Sequence, residues 1–364
     1  AMVDPPYAKQ QLLLLLGEWY MHPNGQIPAC EWNFSDVNPP IHAWAALRVY
    51  ELSADVEGRP DDEFLELVFH KLLLNFGWWV NRKDAAGRNV FQGCFVGLDN
   101  IGIFNRSAAF PTGGHLEQSD GTAWMGMYCL DMLKIALILA RNNPSYQSIA
   151  FKFLEHFWHI ALALNNIGGE GLSLWGPEAQ FYYDVLNLPD GSQLPLRVRS
   201  LVGLIPLLAV ETTDLALLNY WPRFREMLDV FHRYRIDARV VTLLDHNELD
   251  RPRGMLSLVR GERLRHVLRR MFDPDEFLSD YGIRSLSREH KDQPYEFMAD
   301  GTTFSVAYDP AESTTGIFGG NSNWRGPIWL PINYMLIESL RRFHAFYGDE
   351  FQIEYPTGSG QLLT

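Results

Sequence analysis

Helical periodicity constrains this chain more tightly than any other feature. Apolar residues return at spacings of three and four through IHAWAALRVYEL, EFLELVFHKLLLNFGWWVNR, TAWMGMYCLDMLKIALILARN, YQSIAFKFLEHFWHIALALNN, LVGLIPLLAVE, RLRHVLRRMF and IWLPINYMLIESLRRFHAFYG, after an opening QQLLLLLGEWYM. That spacing lines apolar side chains along one helix face, which then needs a partner. Alternation with a period of two is scarce. The two candidate strands, VFQGCFVGL and TTFSVAYD, fall in connections. The pattern predicts an all-α chain, and no composition break divides it, so one domain is expected over residues 1–364.

Composition narrows the function. The net charge of −13 argues against nucleic acid and anionic membrane surfaces as partners. The one basic block, Arg251 to Arg270, keeps Leu and Val near helical spacing and reads as a solvated amphipathic face. Cys30, Cys94 and Cys129 are isolated, which points to a reducing compartment and to no disulfide framework. The longest aliphatic run, Leu12 to Leu16, is far shorter than a membrane span. A cytoplasmic location is the expectation, and no cofactor is. His156 and His159 sit three apart, but no third ligand lies in register with them, so a packed helix is the simpler reading.

The loops before several helices are rich in Trp, Asn, Asp, Gly and Pro, and rigid scaffolds usually carry their chemistry in such loops. EWNFSDVNPP offers Trp32 and Asn38, VGLDNIGIFNRS offers Gly97 and Asp99, HLEQSDGTAWM offers Asp120 and Trp124, and GGNSNWRGPIW offers Trp324, Arg325 and Trp329. Singly, each has a plain structural explanation as a turn or a helix cap. Together they supply carboxylates, amides and flat indole faces. That set can bind a sugar ring and can perform glycosidic chemistry, which needs an acid on one side of the bond and a base or nucleophile on the other.

Three motifs carry a resemblance. Asn323 to Trp329 (NWRGPIW), Gly97 to Asn100 (GLDN) and Tyr281 to Ser287 (YGIRSLS) resemble glycoside hydrolase family 63, and the likeness runs through nearly the whole chain. The resemblance implies an (α/α)6 barrel, a toroid of six helical hairpins with the active site among loops at one end. It implies an inverting α-glucosidase that uses no cofactor and takes a carbohydrate substrate. By motif, Asp99 matches the general acid, Trp324 and Trp329 match sugar-stacking residues with Arg325 beside them, and Asn38 matches a position lining the sugar pocket. Gly97 would let the backbone approach the substrate. Trp32, Asp120, Trp124 and Arg284 are added as substrate-binding candidates from their loop positions.

Two departures from the family pattern accompany the match. The chain has no Trp-Asp dipeptide, and no Tyr- and Gly-rich segment bearing a Glu follows Trp329. The expectation is therefore a barrel incomplete at both ends, part of a longer protein, with the general base beyond Thr364. Glu312, just upstream of the tryptophan-arginine motif, is a candidate in-chain substitute, although a loop-structuring role is the simpler reading of it. The alternative is a non-catalytic sugar-binding or scaffold protein on a degenerate barrel, and the oligomeric state is open.

Overall fold

The computed structural model describes residues 1–17, 19–30, 33–82, 87, 89–91, 101–106, 108–165, 173–234, 242–244, 253–299, 301–309 and 326–364. Among these lie eight α-helices: α1 (Pro5–Leu15), α2 (His42–Glu57), α3 (Asp62–Val80), α4 (Ser119–Leu139), α5 (Tyr146–Asn165), α6 (Pro222–Tyr234), α7 (Gly261–Met271) and α8 (Leu330–Tyr347).

Local chemistry sets several of their ends. Asp4 caps α1 by accepting from the Tyr7 amide at 2.9 Å, ahead of Pro5 and Pro6, whose fixed φ suits the first turn. Asp61 does the same for α3 through the Phe64 amide at 3.0 Å, with Asp62 and Glu63 in the positive first turn. α2 stops at Gly58, whose φ of 74° is a left-handed conformation that costs glycine little. Asp61 also binds the Lys9 ammonium at 2.8 Å, tying α1 to the α2–α3 turn. Asp61→Ala removes both the cap and the ion pair. It is expected to lower unfolding free energy by about 1–2 kcal/mol in urea titrations, most of it from the cap, since this partly exposed pair is worth little.

The helices pack sequentially. α1 lies on α2 and α3, α3 on α4, α4 along α5, and α5 on α6. α4 sits at the centre: 18 of its 21 residues are buried, which is why its apolar character runs all round. By length and composition α4 could cross a membrane. Here α2, α3, α5, the 3-10 turn Ile205–Leu208 and the strand β6 (Val210–Asp214) sheathe it instead.

The chain is mainly helical, with more strand in its connections than the all-α expectation allows. The described residues also hold fourteen short strands in six small antiparallel sheets, placed in the connections. β1 (His115–Glu117) pairs with β4 (Asp184–Asn187), which pairs with β5 (Gln193–Leu196). Between them in sequence, β2 (Trp175–Gly176) pairs with β3 (Phe181–Tyr182). β6 pairs with β8 (Arg253–Ser257), and β8 with β7 (Thr242–Leu244). Two-residue ladders join β9 (Leu278–Ser279) to β10 (Gly282–Ile283) and β13 (Ile353–Glu354) to β14 (Leu362–Leu363). β11 (Tyr295–Ala299) and β12 (Thr302–Val306) form a hairpin, as TTFSVAYD predicts. Of VFQGCFVGL, Val90 and Phe91 are described, and Phe91 makes a single bridge to Gln118.

LVGLIPLLAVE is not the expected helix. It folds as the 3-10 turns Leu201–Gly203 and Ile205–Leu208 and then enters β6. Pro206 removes an amide that a longer helix would need. Gly203 lies so close to Phe181 and Tyr182 that a Cβ would collide with the Tyr182 carbonyl oxygen. Residues 201–210 are all buried, and a fully buried run gives no period to read.

The basic block divides between β8 and α7. In α7, Leu264, Val267, Leu268 and Met271 face inward as expected. Its arginines find partners: Arg263 lies over the Trp175 ring, Arg265 over Phe351, and Arg270 binds Glu276.

Candidate functional site

A buried polar cluster lies at the N-terminal mouth of α4. β1 delivers Glu117 there, fully buried, with its Oε1 3.3 Å from both the Asn187 amide nitrogen and His115 Nε2. The Ser119 amide opens the helix, and its cap comes from across the β1–β4 pairing: Asp184 Oδ1 accepts from it at 2.8 Å. Arg106 then joins two carboxylates, with Nη1 2.7 Å from Asp120 Oδ2 and Nη2 2.5 Å from Asp184 Oδ2. All three side chains are buried or nearly so.

Two acids facing one guanidinium leave a negative excess. Burial, and then the neighbouring Asp184, push the Asp120 carboxyl up to about 6 against the pull of Arg106. Asp120 Oδ1, Ser119 Oγ and Trp124 Nε1 are buried and have no hydrogen-bond partner among the described residues. Asp120 and Trp124 are four apart, on one face of α4. The first turn of α4 thus holds a hydrogen-bonding capacity that these residues do not fill.

This mouth also anchors both flanks of the segment that carries the GLDN motif. Before it, the Phe91 amide donates to Thr122 Oγ1 at 3.0 Å, and Phe91 bridges Gln118. After it, Ile101 and Ile103 are buried and Arg106 makes the paired contact. Gly97 and Asp99 themselves lie outside the described residues, as do Trp32, Trp324, Arg325 and Glu312.

A second cluster joins YGIRSLS to the end of NWRGPIW. The Ile283 amide donates to Asn333 Oδ1 at 2.7 Å, Asn333 Nδ2 returns a bond to the Ile283 carbonyl at 3.0 Å, and the Ser285 amide donates to the Pro327 carbonyl at 2.8 Å. Gly282 has a φ of 132°, and a Cβ there would meet Asn333 Oδ1 at 2.8 Å, so this junction requires glycine. Trp329 is buried, with its indole N–H on the Gly326 carbonyl at 2.8 Å. Arg284 is half-buried and donates to the carbonyls of Pro274, Glu276 and Leu278. Asn38 is exposed and donates to the Ala29 carbonyl at 2.7 Å.

The segment 101–106 links the clusters. Phe104 meets Phe297 and Phe304 of the β11–β12 hairpin at ring distances of 5.6 and 5.1 Å. That hairpin leads in sequence to Trp324 and Arg325. Ser200, which shares a small cavity with Arg106 and Asp184, bridges Leu286 of YGIRSLS. The structure therefore brings Asp120 and Trp124 together at one end of this segment, with Arg284 and Trp329 reached through residues 198–202. Sequence reading missed Arg106 and Asp184. Arg106 lies within the sequon-like Asn105-Arg106-Ser107, and Asp184 within a strand; neither carries a local signal. No group of three or more His, Cys, Asp or Glu among the described residues is arranged to hold a metal, His156 and His159 included.

Residues 253–355, which include YGIRSLS, the β11–β12 hairpin and the tryptophan-arginine motif, match the glycosyl hydrolase family 63 C-terminal domain. Over that stretch the chain is similar to glycoside hydrolase family 63. A Saccharomyces cerevisiae protein described as uncharacterized protein YMR196W is 50% identical over 376 residues; the match covers all of this chain but 34% of that protein. The chain thus spans about a third of that relative's length. Mannosyl-oligosaccharide glucosidase of the same yeast is 31% identical over 83 residues, 22% of this chain and 7% of that protein. Among solved structures, the family 63 mannosylglycerate hydrolase of Thermus thermophilus in complex with Tris superposes with a TM-score of 0.55 at 15% identity, covering 95% of this chain and 78% of that one. An uncharacterized conserved protein from the same bacterium gives a TM-score of 0.55 at 16% identity over 100% of this chain and 85% of its own. At these identities the family 63 structures share the fold, which is mainly helical.

Proposed function

We propose that the protein containing this chain is an inverting glycoside hydrolase acting on α-glucosides or related α-linked sugars, and that its helices belong to a ring of hairpins with the active site at the mouth of α4. The similarity of residues 253–355 to the glycosyl hydrolase family 63 C-terminal domain supports the chemistry. For the place of the site, one observation carries the reading: both flanks of the GLDN segment bind the start of α4, and the hairpin leading to the tryptophan-arginine motif packs on Phe104 of the second flank.

In this reading Asp99 is the general acid that protonates the glycosidic oxygen. Trp324, Trp329 and Arg325 hold the sugar, together with Asn38 and Gly97. Asp120 and Trp124 offer their unfilled Oδ1 and Nε1 to hydroxyls or ordered water. Inversion requires a second carboxylate about 6.5–9.5 Å from Asp99, with one water between them.

The test is hydrolysis of an α-glucoside by the full-length protein, followed by proton NMR of the anomeric signal. Inversion releases the β-anomer first. Initial release of the α-anomer would overturn the mechanism. Binding of glucosides with no hydrolysis would instead make this a sugar-binding protein on the same scaffold.

A further inference from the structure

We infer that Arg106, forked between Asp120 and Asp184, is the positioning residue that fixes residues 101–106, which directly follow the GLDN motif in sequence, to the mouth of α4. The inference rests on the proposed function and adds residues that the resemblance does not reach.

Three observations carry it. Arg106 comes seven residues after Asp99 in the chain, within the segment that leads directly out of GLDN. Its guanidinium is almost wholly buried, at 4% side-chain exposure, and the carboxylates it touches belong to two different elements, Asp120 to the start of α4 and Asp184, 78 residues away, to β4. Asp184 is itself committed to the first amide of α4 through its other oxygen. One fork therefore sets the segment 101–106, the start of α4 and β4 in a single geometry. Arginine suits the task because its planar fork reaches two carboxylates at once, which a lysine ammonium does not reproduce. An acid must meet the leaving-group oxygen within hydrogen-bond reach, so an error of about 1 Å at its anchor translates into a large loss of rate.

A positioning role differs from a merely structural one in its dependence on the leaving group. Protonation matters greatly for methyl α-glucoside and little for α-glucosyl fluoride, whose fluoride departs largely unaided. In the full-length protein, Arg106→Lys is expected to lower kcat on methyl α-glucoside at least about 30-fold and on the fluoride less than about 3-fold, with KM little changed. Asp184→Asn should follow the same pattern more weakly. Equal losses on both substrates would overturn the inference and leave Arg106 a structural residue.

A second readout does not depend on turnover. Hydrogen exchange in a peptide spanning 101–106 should rise at least about tenfold in Arg106→Lys while α5 stays protected. Unchanged exchange there would also overturn the inference. Failure of the unaltered protein to hydrolyse either substrate bears on the proposed function alone, since the exchange measurement still decides the anchor.

Discussion

Asp99→Asn in the full-length protein is expected to lower kcat on α-glucosides by about 10²–10⁴-fold while glucoside binding persists. The side chain keeps its size and loses its proton donor, so a sugar held by indoles and a guanidinium should be held as before. Isothermal titration with a glucoside, run beside the rate measurement, separates the two effects. Turnover within a few-fold of the unaltered protein would remove Asp99 from the acid's role. Loss of binding along with turnover would mean that Asp99 serves the pocket rather than the bond. The expected magnitude reflects what general acid catalysis usually contributes when an alkoxide must leave. It is also the largest change any single side chain of the proposed site should produce.

The largest change in stability is expected at Asp131, in the middle of α4. Burial pushes its carboxyl up to about 7; Glu211 and Glu51 add to the rise, while Arg342 and Lys134 oppose it. Its Oδ2 has no hydrogen-bond partner among the described residues. In the unfolded chain the same group titrates near its ordinary value of 3.8. A raised folded pKa means that the contribution is fully present below about pH 4 and is lost as pH rises through about 7, because the fold must then carry a buried charge. Asp131→Asn stays neutral throughout. It should match the unaltered protein near pH 4 and exceed it by about 2–4 kcal/mol at pH 8. Thermal melts of both proteins from about pH 4 to 8 provide the measurement. A difference in Tm that does not change with pH would show that Arg342 and Lys134 compensate the charge.

Legibility of the fold followed burial. α2, α3, α5, α7 and α8 bury one side and expose the other, and each was readable from spacing. At 201–214 every residue up to Val210 is inside, so apolar spacing could not distinguish a helix from two short turns and a strand; Pro206 and Gly203 were the informative residues. Most of the short strands, β12 excepted, escaped because a two- to five-residue run cannot display a period. In the candidate site, the acidic and aromatic loops were visible as composition. The fork was not: Arg106 and Asp184 are 78 residues apart, and nothing local to either announces the other. Arg284 and Trp329 illustrate a related limit, because residue type alone did not show that their polar atoms make backbone hydrogen bonds.

The central place of α4 also bears on how the protein is made. Its apolar surface is sheathed by elements from both sides in sequence, and the last of them, β6, ends at Asp214, 75 residues after α4 ends at Leu139. At synthesis rates of about 5–20 residues per second, the nascent chain carries an incompletely covered, bilayer-compatible helix for roughly 4–15 seconds. During that interval the ribosome-bound chain offers chaperones, and membrane-targeting factors, a hydrophobic segment that the finished protein hides.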